Sequence, residues 1–358
     1  MKQKKLWQKD QAILHSLVEQ YTVGEDYILD KELMLYDIEA SKAHAKALNR
    51  IKILNNPELE KLCCALEKLK NEFKRGKIKI SISDEDCHTA IENYLIKKIG
   101  RVGKKIHTGR SRNDQVLTAI RLYIKYNLSE IRKQTLNLAK KFIERAKKYE
   151  RIPMPGYSHT QQAMLSSVGH YFAAFAESLL DDASLLDAIY NHIDKNPLGS
   201  AAGFGVSLPL DRLFTTKELK FKKIQINSLY CQNSRGKFES VFLEGLNQVM
   251  LTLNKFANDI IIFTSREFNF FSFPTNLTTG SSIMPQKQNL DGLEILRGNT
   301  NLIISHQLTI KNISRNLLSG YNRDLQLIKK PIIEGVKITI IYLYLAFRNI
   351  KIFRQGFY

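Results

Sequence analysis

The feature that most constrains this chain is a run from Asn113 to Tyr149 in which apolar residues recur in steps of three and four, with no Pro or Gly among them. Leu117, Ile120, Ile124, Leu128, Ile131, Leu138 and Phe142 carry the pattern. Such spacing keeps one face of an α-helix apolar along its whole length. The pattern returns twice, first as Val168, Phe172, Phe175, Leu179, Ala183, Leu186 and Ile193. It then recurs as Phe238, Phe242, Leu246, Val249, Leu253, Phe256, Ile260 and Phe263. Two less regular helices are expected across 291–312 and 324–349. Long helices of this kind pack side by side at shallow angles, so the expected fold class is all-α, a helical bundle. Their apolar stripes exceed what one chain can cover, which predicts an oligomer.

Residues 1–108 have a different texture. Breakers at Gly24, Asn55-Asn56-Pro57, Gly76 and Gly100 divide them into short helical patterns. The sequence therefore predicts an N-terminal helical domain over 1–108, a long-helix bundle domain over 109–352 and a short tail over 353–358. The most apolar window, Ile338–Phe347, is too short to span a bilayer and reads as a buried helix.

Among the 358 residues, 54 Lys and Arg stand against 35 Asp and Glu, a formal net charge of +19. A surplus of this size attracts phosphate backbones. Here the basic residues are scattered among acids, with no aromatic-and-basic motif, zinc-finger spacing or basic arm, so no specific nucleic-acid partner is expected. An anionic small-molecule substrate suits the charge equally well. Cys63, Cys64, Cys87 and Cys231 lack metal-ligand spacing, and neither a metal nor a cofactor is expected. Met1–Asp10 is basic with no apolar stretch behind it. No signal peptide is predicted, and the expectation is a cytoplasmic protein with reduced thiols.

Polar segments separate the helices at 100–114, 152–162, 196–211, 271–289 and 319–326, where chemistry tends to sit. The stretch from His107 to Asp114 puts two arginines, an amide and two hydroxyls at a helix entry. Free N–H groups and arginine forks there favour an anion, although a capped helix with solvated charges would look the same. In Met154–Gln161, Pro155 and Gly156 predict a turn just ahead of a long helix, with His159 near that helix's start. A lone histidine is more often structural, but hydroxyl neighbours suit an acid–base role. The stretch from Thr279 to Asn289 (TGSSIMPQKQN) combines a flexible start, a Pro hinge and a Lys before a helix. It predicts a lid, or else an ordinary surface loop.

The GSSIMPQKQN stretch resembles the signature of the fumarase/aspartase superfamily. HTGRSRNDQV at 107–116, MPGYSH at 154–159 and SGYNRDLQ at 319–326 narrow the resemblance to the argininosuccinate lyases, and it runs from about Thr22 to Ile352. The resemblance implies a central bundle of five long helices and a homotetramer whose active sites are shared between subunits. It also implies a carbon–nitrogen lyase of arginine biosynthesis that splits argininosuccinate into arginine and fumarate by general acid–base β-elimination. Ser281 matches the serine assigned as base, with Lys287 as the cation that would stabilise its alkoxide. His159 matches the histidine that assists the leaving nitrogen, and Glu294 the carboxylate that orients it; the acid and base roles of His159 and Ser281 are exchangeable. Arg112, Asn113, Ser158, Lys287 and Asn289 match positions that hold the succinyl carboxylates. Tyr321, Gln326 and Lys329 match those that hold the amino-acid end, and His88 resembles a further substrate-side position.

The sequence departs from the family pattern in places. Ser158 stands where many relatives have Thr, Gln288 and Leu290 replace a common Lys and Pro, Ser240 falls where Arg is usual, and Gly24 sits near a substrate-binding Ser. The chain stops at Tyr358, roughly where relatives continue into a small C-terminal helical domain, so a truncated C-terminus is expected. Other readings are an adenylosuccinate-type lyase or a non-catalytic relative of the lens-crystallin kind.

Overall fold

A computed structural model describes residues 16–273, 275–280, 282–284, 286–352 and 354–355. Most of the expected 353–358 tail lies outside these residues. The chain divides into two compact units, each assembled from three separate segments.

The first unit comprises Met1–Ile124, Ile193–Arg235 and Asn316–Lys330. The breakers read from the sequence bound its helices. Gly24 follows the Ser16–Val23 helix with φ +54°, and Gly100 closes the Cys87–Ile99 helix with φ +61°. Asn55 caps the Asn56–Lys74 helix: its side chain accepts from Glu58 N–H at 2.9 Å while its own N–H donates to Glu58 at 3.1 Å. This reciprocal bond satisfies two end groups that a helix cannot satisfy internally. Leu33, Met34, Ile38, Leu48, Leu62, Leu66 and Leu95 are fully buried where the Met34–Arg50, Asn56–Lys74 and Cys87–Ile99 helices pack. Each such side chain stabilises the fold by roughly 1.5–3 kcal/mol. Gly103 brings the short Arg101–Lys104 helix against Leu95, since a Cβ there would lie 2.6 Å from the Leu95 backbone. That close approach sets up the entry to the next helix.

The second unit comprises Lys125–His192, Gly236–Arg315 and Pro331–Tyr358. It holds residues of five long helices: Arg112–Lys148, Val168–Ile193, Lys237–Phe263, Asp291–Ser314 and Lys329–Ile352. The periodic positions read from the first three are buried throughout, save Phe263, which is half-buried. Phe142, Phe172, Phe175 and Phe256 join three helices edge to face and tilted, with ring centroids 5.0–6.5 Å apart. Gln307 and Asn247 lock the Asp291–Ser314 helix to the Lys237–Phe263 helix: Asn247 donates to Gln307 at 2.9 Å, and Gln307 donates to the Ser240 carbonyl at 3.0 Å. The mostly helical bundle expected from the periodicity is the observed architecture.

Three expectations are corrected. The 152–162 segment is not a turn leading straight into a helix but most of an antiparallel hairpin, Pro153–Ser158 with Gln161–Ser167. His159 lies at its tip, nine residues before the helix begins at Val168. The last long helix starts at Lys329, because Arg323–Ile328 forms a 3₁₀ turn. Within Ile338–Phe347 only one stripe is buried; Thr339, Tyr342, Leu343 and Ala346 point inward, while Ile341 and Tyr344 are exposed. Among the described residues, no helix is long and apolar enough to cross a membrane.

Candidate active site

A cavity of about 440 Å³ opens within the first unit, a size suited to a small molecule. Its wall contains His88, Arg112, Asn113, Tyr321, Gln326 and Lys329. These are all six of the expected site residues that the first unit contains, gathered from positions up to 241 residues apart in sequence.

Local structure places each one. Asp86 caps the Cys87–Ile99 helix by accepting from Thr89 N–H at 2.8 Å, which sets His88 in the first turn. Arg112 and Asn113 begin the Arg112–Lys148 helix. Its start is pinned by Asp114, a fully buried carboxylate that accepts from the N–H groups of Ser111, Gly199 and Ala201, each at 3.0 Å. Gln326 reaches across to the carbonyls of Thr22 and Val23 at 3.1 and 3.3 Å, and Arg323 donates to Thr22 at 2.7 Å. The Arg235 guanidinium lies over the Tyr321 ring, 5.3 Å from its centroid, close enough for a cation–π attraction.

Two of the cations in this wall, Lys329 and Arg112, are each paired with two carboxylates. Lys329 donates to Asp26 at 3.0 Å and to Asp30 at 2.8 Å. Burial pushes the lysine towards its neutral form, but Asp30 and Asp26 more than reverse that and hold it charged well above its ordinary range. Burial dominates at Asp26 and raises its carboxyl to about 6, with Lys329 opposing the rise and Asp30 adding to it. Arg112 donates to Glu85 at 3.0 Å and to Asp86 at 3.2 Å. His107 is pushed down to about 4 by burial and by the charges of Arg110 and Arg112, so it stays neutral at pH 7.

Asp26, Glu85, Asp86, His107, Arg110, Arg235 and Arg323 also line the cavity and were not singled out as site residues from the sequence. Asp86 and Glu85 adjoin His88 in the chain, and Arg110 and His107 lie in the motif that carries Arg112; that adjacency was the available signal. Arg235 and Asp26 carried no local signal, since they reach the wall only through folding.

Asp30, Cys87 and His88 offer three donor atoms within 4.8 Å of one another. The set does not suit a metal ion. Asp30 is committed to Lys329 at 2.8 Å and to Cys87 N–H at 3.0 Å, and burial together with Asp30, Asp37 and Asp86 keeps the thiol protonated. A metal there would displace an ammonium and require a thiolate.

The remaining expected residues belong to the second unit. His159 and Thr160 form the two-residue hairpin tip, with φ +53° and +60°. Tyr157 anchors the hairpin among the rings of Phe263, Phe268 and Phe270, 5.7–6.3 Å away. Ser158 and His159 are exposed. The base of the expected lid is closed by a bridge in which Thr279 and Asn289 exchange both backbone hydrogen bonds, at 3.0 and 2.8 Å, and Thr279 also donates to Asp291. Lys287 is exposed in that loop, and Glu294 is exposed in the first turn of the Asp291–Ser314 helix. No hydrogen bond joins Glu294 to His159 among the described residues. Ser281 lies outside the described residues.

Comparison with known proteins places this geometry. A family described as Lyase matches residues 16–304. Two solved structures share the fold: EDDS lyase bound to formate, with a TM-score of 0.80 at 21% identity over 94% of this chain and 66% of that one, and the class II fumarase of Schistosoma mansoni, with a TM-score of 0.80 at 15% identity over 94% and 81%. The chain is a lyase, as the matching family model over most of its length defines it. Argininosuccinate lyase of Thermotoga neapolitana is 46% identical over 94% of this chain and 84% of its own. That of Xanthomonas campestris pv. campestris (strain B100) is 44% identical over 92% and 76%. The chain belongs to the argininosuccinate lyase family.

Proposed function

We propose that the chain cleaves argininosuccinate into arginine and fumarate, and that the first-unit cavity holds the substrate. The observation that carries this reading is the convergence of His88, Arg112, Asn113, Tyr321, Gln326 and Lys329 on one cavity.

The chemistry asks for three things. A base must take a weakly acidic proton from the carbon beside a succinyl carboxylate, and that carboxylate must be stabilised as it gathers charge. The electrons of the broken C–H bond form the fumarate double bond. Those of the C–N bond leave with the guanidino nitrogen, which takes up a proton from an acid. Ser281 and His159 supply base and acid in this reading, Lys287 stabilises the serine alkoxide, and Glu294 orients His159. Arg112, Asn113, Ser158 and Asn289 hold the succinyl carboxylates; Tyr321, Gln326 and Lys329 hold the amino-acid end.

The exposure of Ser158, His159, Lys287 and Glu294 supports a site completed by other copies of the chain in a homotetramer. A cytoplasmic role in arginine biosynthesis follows from the proposed reaction. The test is Ser281→Ala. Turnover falls by about a hundredfold to ten-thousandfold, since a group that transfers the proton in the transition state is lost, while the helical circular dichroism spectrum is retained. Turnover at the unaltered rate would remove Ser281 from the mechanism.

A further inference from the structure

His88 is the one expected substrate-side residue with only an approximate family counterpart, and its surroundings say more than its position does. Its Nδ1 lies 2.7 Å from Asp37 Oδ2, on the Met34–Arg50 helix. Asp37 is entirely buried, and His88 keeps 5% of its exposure, in the cavity wall. The other ring nitrogen, Nε2, is buried and has no hydrogen-bond partner; nor has Asp37 Oδ1. Apart from a weak 4.0 Å contact from the Cys87 thiol, the Asp37 carboxylate is therefore spent on one imidazole. Burying a carboxylate with so few bonds is costly, and an apolar residue of similar size would pack there at less cost. A carboxylate–histidine pair does have a use: it fixes the ring orientation and favours the doubly protonated imidazole.

We propose that Asp37 is a positioning residue for the lyase reaction: it takes the Nδ1–H of His88 and so fixes the charged ring in the cavity wall, beside the carboxylates of the substrate. The inference rests on the activity proposed above. Burial alone would hold His88 neutral, but the charge and hydrogen bond of Asp37, helped by Asp86 and Asp30, raise its pKa above the ordinary value. Burial likewise pushes Asp37 up, and His88 with Arg110 brings it below the ordinary carboxylate range. The charged and titratable groups that bear on the ring are Asp37, Asp30, Asp86 at the cap of its own helix, His107, and the Cys87 thiol at 3.8 Å. Because the folded pKa is raised, the imidazolium persists to higher pH than in an ordinary histidine and is lost as pH rises through that raised value.

The experiment uses the full chain with Asp37→Asn, Asp37→Glu and His88→Gln. It measures KM and kcat for argininosuccinate from about pH 6 to about pH 9, and follows His88 by NMR of protein carrying ¹³Cε1-labelled histidine. In Asp37→Asn, KM rises about tenfold while kcat changes less than about threefold, as expected for loss of one charged binding contact. The alkaline rise in KM and the His88 titration both move to lower pH, and Asp37→Glu restores both in large part. An unmoved His88 titration overturns the proposal, as do equal losses in kcat and KM with the pH profile unchanged. Should Asp37→Asn fail to fold, His88→Gln decides: the proposal requires it to lose the alkaline rise in KM, and keeping that rise overturns it. If the unaltered chain releases no fumarate, the activity reading fails on its own, and the NMR titration together with fumarate binding across the same pH range still judges Asp37.

Discussion

Lys329 enters the cavity wall with its charge met by two carboxylates, and that arrangement has a measurable pH signature. Removing the ammonium by Lys329→Met leaves Asp26 and Asp30 facing each other in a buried site, at a cost of about 3 kcal/mol when both are ionised. The sign with pH follows from the shifts. Asp26, raised to about 6 by burial, takes up a proton in the folded state, so its contribution is most favourable below the ordinary carboxylate range and is lost as pH rises through about 6. Without the lysine that loss deepens. Urea unfolding of Lys329→Met therefore shows a larger deficit at about pH 8 than at about pH 5; an equal deficit at both would mean the lysine serves packing and not charge. The same cluster shows what the sequence could and could not convey at this scale. Gln326 and Arg112 were identified through their motifs and Lys329 through the family resemblance, but Asp26, Asp30 and Asp37 have no motif of their own. They matter because the Met34–Arg50 helix and the turn before it fold onto residues some 50 to 300 positions away in sequence.

At the scale of elements, what is local was legible. Helices ended at Gly24, Gly76 and Gly100 and one began after Asn55, because caps and positive φ act within a few residues. The long apolar stripes were buried because the helical period is a property of the segment alone. The hairpin was missed because Pro155 and Gly156 look like a turn, whereas the actual turn is His159-Thr160, a pair of residues that seldom adopt positive φ. A β-branched residue in the left-handed region costs of order 1–2 kcal/mol. Thr160→Gly should then raise thermal stability by about 1 kcal/mol, read from the unfolding midpoint. Lower stability would mean that the threonine hydroxyl, which donates to the His159 carbonyl at 2.6 Å, stabilises the tip by more than the strain costs.

For the whole molecule, the long helices carry exposed apolar side chains at Leu180, Leu251, Ile262, Ile295, Leu308 and Ile341. Their exposure fits bundles that pack against other bundles. Light scattering is expected to give a mass about four times 41.2 kDa. A monodisperse monomer would rule out a site shared between subunits. The central claim concerns the reaction itself, and the most direct measurement is ultraviolet detection of fumarate when the purified protein meets argininosuccinate, with adenylosuccinate in parallel. The account predicts fumarate from argininosuccinate alone. Fumarate from adenylosuccinate instead, or none from either by a folded protein, would contradict it.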